Sequence, residues 1–127
     1  MSIIEFPYIL HKSYLMPIIP ITIIDHRVWV FVDSGATFTI LSIDDALRIG
    51  IDWQKGQLQM IVVGDGSFIP VYFHSLPLQI GEWQITASVG FSERLGVGFN
   101  LLGRTDIFDK FQICFNDHIR KVTFQKL

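Results

Sequence analysis

Paired runs of β-forming residues, separated by turn signals, recur along the chain and restrict the folds that it can adopt. Each pair predicts a β-hairpin, because two apolar, β-branched runs are joined by a few turn-forming residues. The clearest turn is Gly64-Asp65-Gly66-Ser67, whose Asp-Gly pair supplies the positive φ angles that a tight turn needs. The predicted hairpins join runs 15–24 with 28–32, 57–63 with 68–73, 76–80 with 83–91, and 111–115 with 121–125.

Two short helices are predicted between the hairpins. The first has Ser42 as its N-cap, Asp44 and Asp45 in its first turn, and Gly50 just past its end. The second, weaker helix is predicted over 104–110. Many strands with little helix indicate an all-β fold, a small closed β-barrel with one or two short helices.

The apolar excess of the chain favours an oligomer. The 127 residues suffice for a single domain, 1–127, with residues 1–14 as a candidate N-terminal arm. Half of the residues are apolar, and the mean hydropathy of +0.41 is high for a small monomer. Charged residues such as Asp25 and Asp33 interrupt every apolar run before the roughly 20 residues of a membrane span, and no signal peptide is recognisable. Buried surface between subunits therefore explains the composition best.

The charge, cysteine and histidine content argue against a nucleic-acid partner, an intrachain disulfide and a metal site. The net charge is −2, and the ten Lys and Arg residues are scattered, so no nucleic-acid partner is expected. Cys114 is the single cysteine, which excludes an intrachain disulfide and favours a reducing, cytoplasmic location. Its apolar neighbours predict a buried thiol. The four histidines lack metal-ligand spacing, so neither a metal nor another cofactor is expected.

The segment over residues 30–41 carries the chemistry. An apolar strand pattern ends in Asp33-Ser34-Gly35, and an apolar run resumes after it. Such a strand end holds a carboxylate on a rigid element, and Gly35 lets the chain turn sharply or lets another backbone come close. A bare Asp-Ser-Gly tripeptide is more often an ordinary turn, so the surrounding residues decide between the two interpretations.

Those surroundings resemble the active-site loop of aspartic proteases, D-[S/T]-G-[A/S]-x-x-[S/T]. Asp33-Ser34-Gly35-Ala36 is followed by Thr39 at the matching position. Leu101-Leu102-Gly103-Arg104 is similar to the apolar-apolar-Gly-Arg segment that supports the catalytic loop in retropepsin-like members. Between the two lies Gly64-Asp65-Gly66-Ser67, where this family carries its flap hairpin. The resemblance covers roughly residues 17–124 and is closer to cellular and bacterial retropepsin-like proteins than to viral ones.

The resemblance implies an aspartic endopeptidase that works as a homodimer on peptide or protein substrates. One Asp-Ser-Gly motif is present, so Asp33 of each of two copies would activate water between them. Ser34 would hydrogen-bond across the dimer, and Gly35 would leave its carbonyl open to the substrate. Ala36 and the flap residues 64–67 are expected to bind substrate. Leu102, Gly103 and Arg104 are expected to support the loop, and dimer contacts are expected at the termini, including 122–127.

One departure from the viral pattern concerns Arg104. Viral retropepsins usually place an Asp directly after the Ala, and that Asp pairs with the Arg of the Gly-Arg segment. Thr37 occupies this position here, so Arg104 must find another partner or remain solvated. Asp65, near the flap tip, could alter the pH response or be an ordinary solvated turn residue.

Two other functions remain open from the sequence. One is a latent or non-catalytic binding or assembly module that keeps the acid-protease fold. The other is a small β-barrel that binds a ligand, which predicts a folded monomer. Retention of Asp33, Ser34 and Gly35 favours the protease over the non-catalytic module, because a scaffold does not need a pair of desolvated carboxylates. A measurement of molecular mass would reveal the monomer that the ligand-binding barrel predicts.

Overall fold

The computed structural model describes residues 2–95 and 98–127 and is mostly β. One α-helix, α1 (Ile43–Ile49), and one 3₁₀ turn (Trp53–Lys55) accompany the strands, which confirms the predicted all-β class with short helices. Neither element has the length of a membrane-spanning helix. The strands are β1 (Ile3–Pro7), β2 (Ile9–His11), β3 (Tyr14–Met16), β4 (Ile18–Ile23), β5 (His26–Val32), β6 (Thr39–Ser42), β7 (Gln57–Val62), β8 (Phe68–Ile80), β9 (Trp83–Ser92), β10 (Leu101–Leu102), β11 (Phe111–Asn116) and β12 (Lys121–Lys126).

The main sheet contains seven strands in the order β4-β5-β10-β6-β9-β8-β7. Its first strand also pairs with the far end of β8, where Thr22 opposes Gln79. Six strands therefore form a closed ring of hydrogen-bonded neighbours, and β7 lies outside the ring at the edge. Every second residue of β4 and β5 points into this ring, since period-two alternation buries one face of a strand. These buried residues are Ile19, Ile21, Ile23, Val28, Val30 and Val32.

All four predicted hairpin turns are present, and one strand is longer than predicted. The turn between β4 and β5 is formed by Ile24 and Asp25, both with positive φ (48° and 63°). Runs 68–73 and 76–80, predicted as separate strands, are one 13-residue strand, β8. Its first half pairs with β7, and its register with β9 runs from Tyr72 to Ile80. Pairing on two sides holds the strand continuous where the sequence suggests a break.

A second sheet joins the two ends of the chain in the order β1-β12-β11. The candidate arm, residues 1–14, contributes β1 to this sheet and then β2 to a separate hairpin with β3. Because β12 is hydrogen-bonded to β1 on one edge and to β11 on the other, it has no free edge for a strand from another chain. The inner face of this sheet packs into the core through Phe111 of β11 and through Val122 and Phe124 of β12.

Two predictions about local structure are wrong. Residues 104–110 form consecutive turns rather than a helix, because Asp106 has a left-handed φ of 67° that an α-helix cannot continue through. The Asp106 carboxylate accepts a hydrogen bond from the Ser88 backbone (2.9 Å), which holds it in that conformation. Cys114 is exposed, because the alternation of β11 turns Phe111 inward and Cys114 outward.

Candidate active site

Asp33 follows the last residue of β5 and is half-buried. Its backbone N–H donates to the carbonyl of Leu102 (3.1 Å), which ties the start of the loop to β10. Its carboxylate oxygen Oδ1 accepts a hydrogen bond from the backbone N–H of Gly35 (2.8 Å). A Cβ atom at position 35 would lie only 3.3 Å from that oxygen. Glycine therefore lets the carboxylate lie tightly against the loop backbone, and the side chain is oriented before any substrate arrives.

Strand β10 and the glycine that follows it support the Asp33 loop. The strand lies between β5, to which it is parallel, and β6, to which it is antiparallel. The next residue, Gly103, donates its buried N–H to Thr39 Oγ1 (3.1 Å). A Cβ atom at Gly103 would overlap the backbone of Phe38, so only glycine fits between the two segments. The structure thus brings together the two motifs that the sequence separates by about 70 positions.

Arg104 binds the Asp33 loop directly. Its backbone N–H donates to the carbonyl of Ala36 (2.9 Å), and its guanidinium Nη1 donates to the carbonyl of Ser34 (3.0 Å). The guanidinium also lies over the ring of Phe108, 4.9 Å from its centroid. Thr37 accepts a hydrogen bond from the Thr105 N–H through its own carbonyl (2.9 Å). The missing Asp at position 37 is therefore replaced by backbone and aromatic partners, and Arg104 is not simply solvated.

A cavity of about 410 Å³ opens between the Asp33 loop and β7; we call it the β7 cavity. The edge of β7 that faces this cavity is unpaired in the described chain, since β7 pairs with β8 alone. Of the predicted substrate residues, Ala36 and Gly64 line the cavity, whereas Asp65, Gly66 and Ser67 do not. The lining residues are Asp33, Gly35, Ala36, Thr37, Phe38, Ile40, Met60, Ile61, Val62, Val63, Gly64, Ile69, Leu95, Phe99 and Leu101.

The turn at 64–67 is held by its own residues. The Asp65 carboxylate accepts hydrogen bonds from the Ser67 hydroxyl (2.6 Å) and the Ser67 N–H (2.9 Å). These bonds lower the pKa of Asp65. Gly66 has a φ of 86°, a conformation that glycine adopts without strain. Asp65 therefore serves the turn itself and does not line the cavity at Asp33.

A second cavity, of about 570 Å³, lies on the other side of Asp33; we call it the β3 cavity because Leu15 and Met16 of β3 line it. Ser34 lines this cavity and not the first one. Asp33 is the one residue, within the described part of the chain, that lines both. The remaining lining residues are Tyr8, Pro17, Phe31, Val32, Phe115, Asp117 and Arg120.

Several residues of the β7 cavity were not predicted from the sequence. Phe38 packs edge-on against Phe73 (5.1 Å between ring centroids), and Phe99 packs against Phe31 (5.5 Å). Phe38 lies within the motif at a position that the family pattern leaves variable. Phe99 directly precedes the Asn100 segment, and its apolar ring gives no sequence signal that separates a cavity wall from the core.

Asn100 is a further buried residue that the sequence analysis missed. Its side-chain amide donates to the Asp45 carboxylate (2.7 Å), and its Oδ1 accepts from the Ser42 N–H (2.9 Å). Ser42 caps α1 by accepting from the Asp45 N–H (3.3 Å), which confirms the predicted cap. Burial opposes ionisation of Asp45, but hydrogen bonds from Arg48, Asn100 and Ser42 outweigh it and lower its pKa. This network fixes α1 to the start of β10.

The family model for aspartyl proteases matches residues 19–104, which is more than half of the chain. The chain belongs to the aspartyl protease family. The matched segment of this protease-family chain contains Asp33, the 64–67 turn and Gly103. No curated protein sequence matches the chain significantly.

Solved structures show that the chain has a retropepsin-like fold. A retropepsin-like aspartic protease from Rickettsia conorii superimposes with a TM-score of 0.69 at 16% identity, covering 97% of this chain and 91% of that chain. The EIAV protease complexed with the inhibitor HBY-793 superimposes with a TM-score of 0.58 at 16% identity, covering 76% of this chain and 88% of that chain. At these identities the likeness shows the fold.

The retropepsin-like fold explains why the two motifs meet at Asp33, since β10 must insert beside β5 to complete the sheet. Across residues 2–95 and 98–127, no group of three or more His, Cys, Asp or Glu side chains is placed to hold a metal ion. The titratable side chain that faces both cavities is Asp33.

Proposed function

We propose that two copies of this chain form an aspartic endopeptidase that hydrolyses extended peptides. The observation that carries the proposal is the position of Asp33 between two cavities, with its carboxylate oriented by the Gly35 N–H. On one side the β7 cavity offers room for a peptide, and on the other side the loop is open to a second copy. Ser34, on that open side, is the residue expected to hydrogen-bond across the dimer.

The proposed chemistry needs a carboxylate pair. Two Asp33 side chains a few Å apart cannot both ionise at moderate pH, so the pair holds one proton. The ionised member takes a proton from a water molecule, whose oxygen attacks the scissile carbonyl carbon. The protonated member gives its proton to the carbonyl oxygen. The pair then gives its proton to the amide nitrogen and the carbon–nitrogen bond breaks. A hydroxyl of the tetrahedral intermediate returns a proton as the carboxyl product forms, so the pair again holds one proton.

The substrate is expected to bind as a strand. The unpaired edge of β7 offers backbone donors and acceptors along the cavity, and strand addition supplies affinity through main-chain hydrogen bonds. The lining side chains Phe38, Ile40 and Ile69 are apolar, so we expect apolar residues around the scissile bond. The hairpin formed by β7 and β8 would act as the flap, and its closure would exclude water.

A reducing, cytoplasmic setting is part of the proposal. Cys114 is exposed and free, and an exposed thiol persists without oxidation where glutathione and thioredoxin keep thiols reduced.

Cleavage of a diverse peptide mixture, followed by mass spectrometry from about pH 3.5 to about pH 7.5, tests the function. Asp33→Asn removes the carboxylate with little change of shape. Asp25→Asn, in the exposed turn before β5, is the matched control. We expect cuts between apolar residues, strongest at acidic pH, that vanish in Asp33→Asn and persist in Asp25→Asn.

Cuts that remain in Asp33→Asn would contradict the proposal. If the wild-type dimer makes no Asp33-dependent cuts at any pH, the protein is the latent or non-catalytic module instead. Activity that keeps rising towards pH 9 would also argue against a carboxylate pair that shares one proton.

A further inference from the structure

The β2–β3 hairpin presents an exposed apolar face beside Asp33. Leu10 and Leu15 oppose each other across the hairpin, so both side chains lie on the same face. Leu10 is 68% exposed and Leu15 is 40% exposed. Leu15 also lines the β3 cavity, which Asp33 and Ser34 share. Clustered apolar side chains on a soluble surface usually mark a site of interaction.

The opposite face of this hairpin is anchored to the body of the protein. The His11 ring packs edge-on against Phe99 (5.0 Å between ring centroids), and Phe99 packs against Phe31. Two strands of three residues are too short to be stable in isolation, so this anchor holds the hairpin in place. The exposed leucines are therefore presented on an ordered surface and not on a loose arm.

We propose that Leu10 and Leu15 form the surface on which a second copy of this chain docks. The inference rests on the proposed function, which requires a second Asp33 to approach the first. The β7 cavity is the place for substrate, so the second copy must come from the side of the β3 cavity. β12 cannot receive it by strand addition, because both of its edges are already paired within the chain.

Charge around the β3 cavity fits a contact between identical copies. Asp33, Asp117 and Arg120 all line the cavity, so its wall carries groups of both signs. In a twofold contact, each such group can face its opposite on the other copy. A surface with both signs is self-complementary in a way that a surface with one sign is not.

The same contact extends to the substrate side. Phe99, the anchor for His11, lines the β7 cavity. Docking of a second copy on the hairpin therefore presses on a wall of the cavity proposed to bind peptide. The same docking step therefore brings the two Asp33 carboxylates together and orders the Phe99 wall of the β7 cavity.

The test compares two substitutions of the same kind at different places. Leu10→Lys puts a charge into the proposed contact, and Leu47→Lys does so on α1, where Leu47 is 65% exposed. Sedimentation equilibrium gives the dimer dissociation constant, and peptide cleavage gives the activity. We expect Leu10→Lys to weaken the dimer by at least about 30-fold, as loss of a central interface residue does, and Leu47→Lys to match wild type. Cleavage by Leu10→Lys should recover at high protein concentration.

A second measurement does not depend on any variant. Amide hydrogen exchange of wild type should slow over residues 9–16 as the protein concentration rises, while residues 43–49 of α1 exchange at an unchanged rate. The inference is overturned if Leu10→Lys and wild type have the same dimer dissociation constant. It is also overturned if the exchange rate over residues 9–16 does not change with protein concentration. Wild type that stays monomeric overturns it as well.

The two proposals fail in different ways. If Leu10→Lys remains dimeric and cleaves in an Asp33-dependent manner, the protease stands and this surface is wrong. If Leu10→Lys breaks the dimer but wild type makes no Asp33-dependent cuts, the surface stands and the proposed activity is wrong.

Discussion

The guanidinium of Arg104 donates a hydrogen bond to the backbone carbonyl of Ser34 at 3.0 Å, across 70 positions of sequence. Together with the bond from the Arg104 N–H to the Ala36 carbonyl, it holds both ends of the Ser34-Gly35-Ala36 segment. Gly35 in turn orients the Asp33 carboxylate. The position of the carboxylate therefore depends on a residue that does not touch it.

We expect Arg104→Ala to lower Asp33-dependent cleavage by about 10- to 100-fold, because loss of the bond to Ser34 loosens the catalytic geometry. The activity of Arg104→Lys should lie between those of wild type and Arg104→Ala, since an ammonium can replace one hydrogen bond but stacks less well on Phe108. Kinetics on a peptide identified in the library would measure both. Arg27→Ala, at an exposed position of β5, is the control and should keep full activity.

Gly103→Ala should destabilise the fold by about 1–3 kcal/mol, as overpacking of a rigid site does. The added methyl group would overlap the backbone of Phe38, which β10 and β6 hold in place. Gly64→Ala is the matched control, because a Cβ atom there meets nothing within 4 Å. Urea unfolding compares the two; equal stability of both variants would refute the tight packing at Gly103.

Asp45 makes a pH-dependent contribution to stability. Its pKa in the folded protein lies below the ordinary value of 3.8, so the folded state favours the charged form. That contribution is present above about pH 4 and is lost as the pH falls through the folded pKa. Asp45→Asn should therefore be clearly less stable than wild type at pH 7, and the difference should shrink towards pH 2.

The control for this prediction is Asp44→Asn, in the same turn of α1 but exposed. Denaturant unfolding of the three proteins at several pH values supplies the measurement. A constant difference between Asp45→Asn and wild type at all pH values would exclude an ionisation effect.

Tyr8 should titrate unusually late. Burial, followed by the hydrogen bond from its hydroxyl to Asp117 (2.7 Å), raises the pKa of Tyr8 from 10.0 to about 12. The folded state favours the neutral phenol, so this stabilisation is complete below pH 10 and is lost as the pH rises through about 12. Tyrosine absorbance should show one late component that Tyr8→Phe removes and that Tyr14→Phe keeps. Tyr8→Phe should also cost about 1 kcal/mol at neutral pH.

Local signals in the sequence predicted the elements close to each turn or cap. The hairpin between β4 and β5, the cap at Ser42 and the Asp33 loop all depend on residues within a few positions of one another, although the turn itself lies at Ile24 and Asp25 and not at residues 25–27. The helix predicted over 104–110 is wrong because its conformation depends on a hydrogen bond between Asp106 and Ser88 on another strand. The two residues lie far apart in the sequence, so no short segment of sequence indicates this hydrogen bond.

The sequence by itself determined the β-hairpins, the α1 caps and the Asp33 and Gly103 motifs, because these follow from turn chemistry, alternation and close-packed glycines. Tertiary structure alone decided which surfaces meet. In the folded chain β10 lies between β5 and β6, and Arg104 donates a hydrogen bond to the Ser34 carbonyl. Cavities lie on both sides of Asp33. The reason is physical: pairing between strands far apart in the chain depends on how the whole sheet closes, and no local propensity records it.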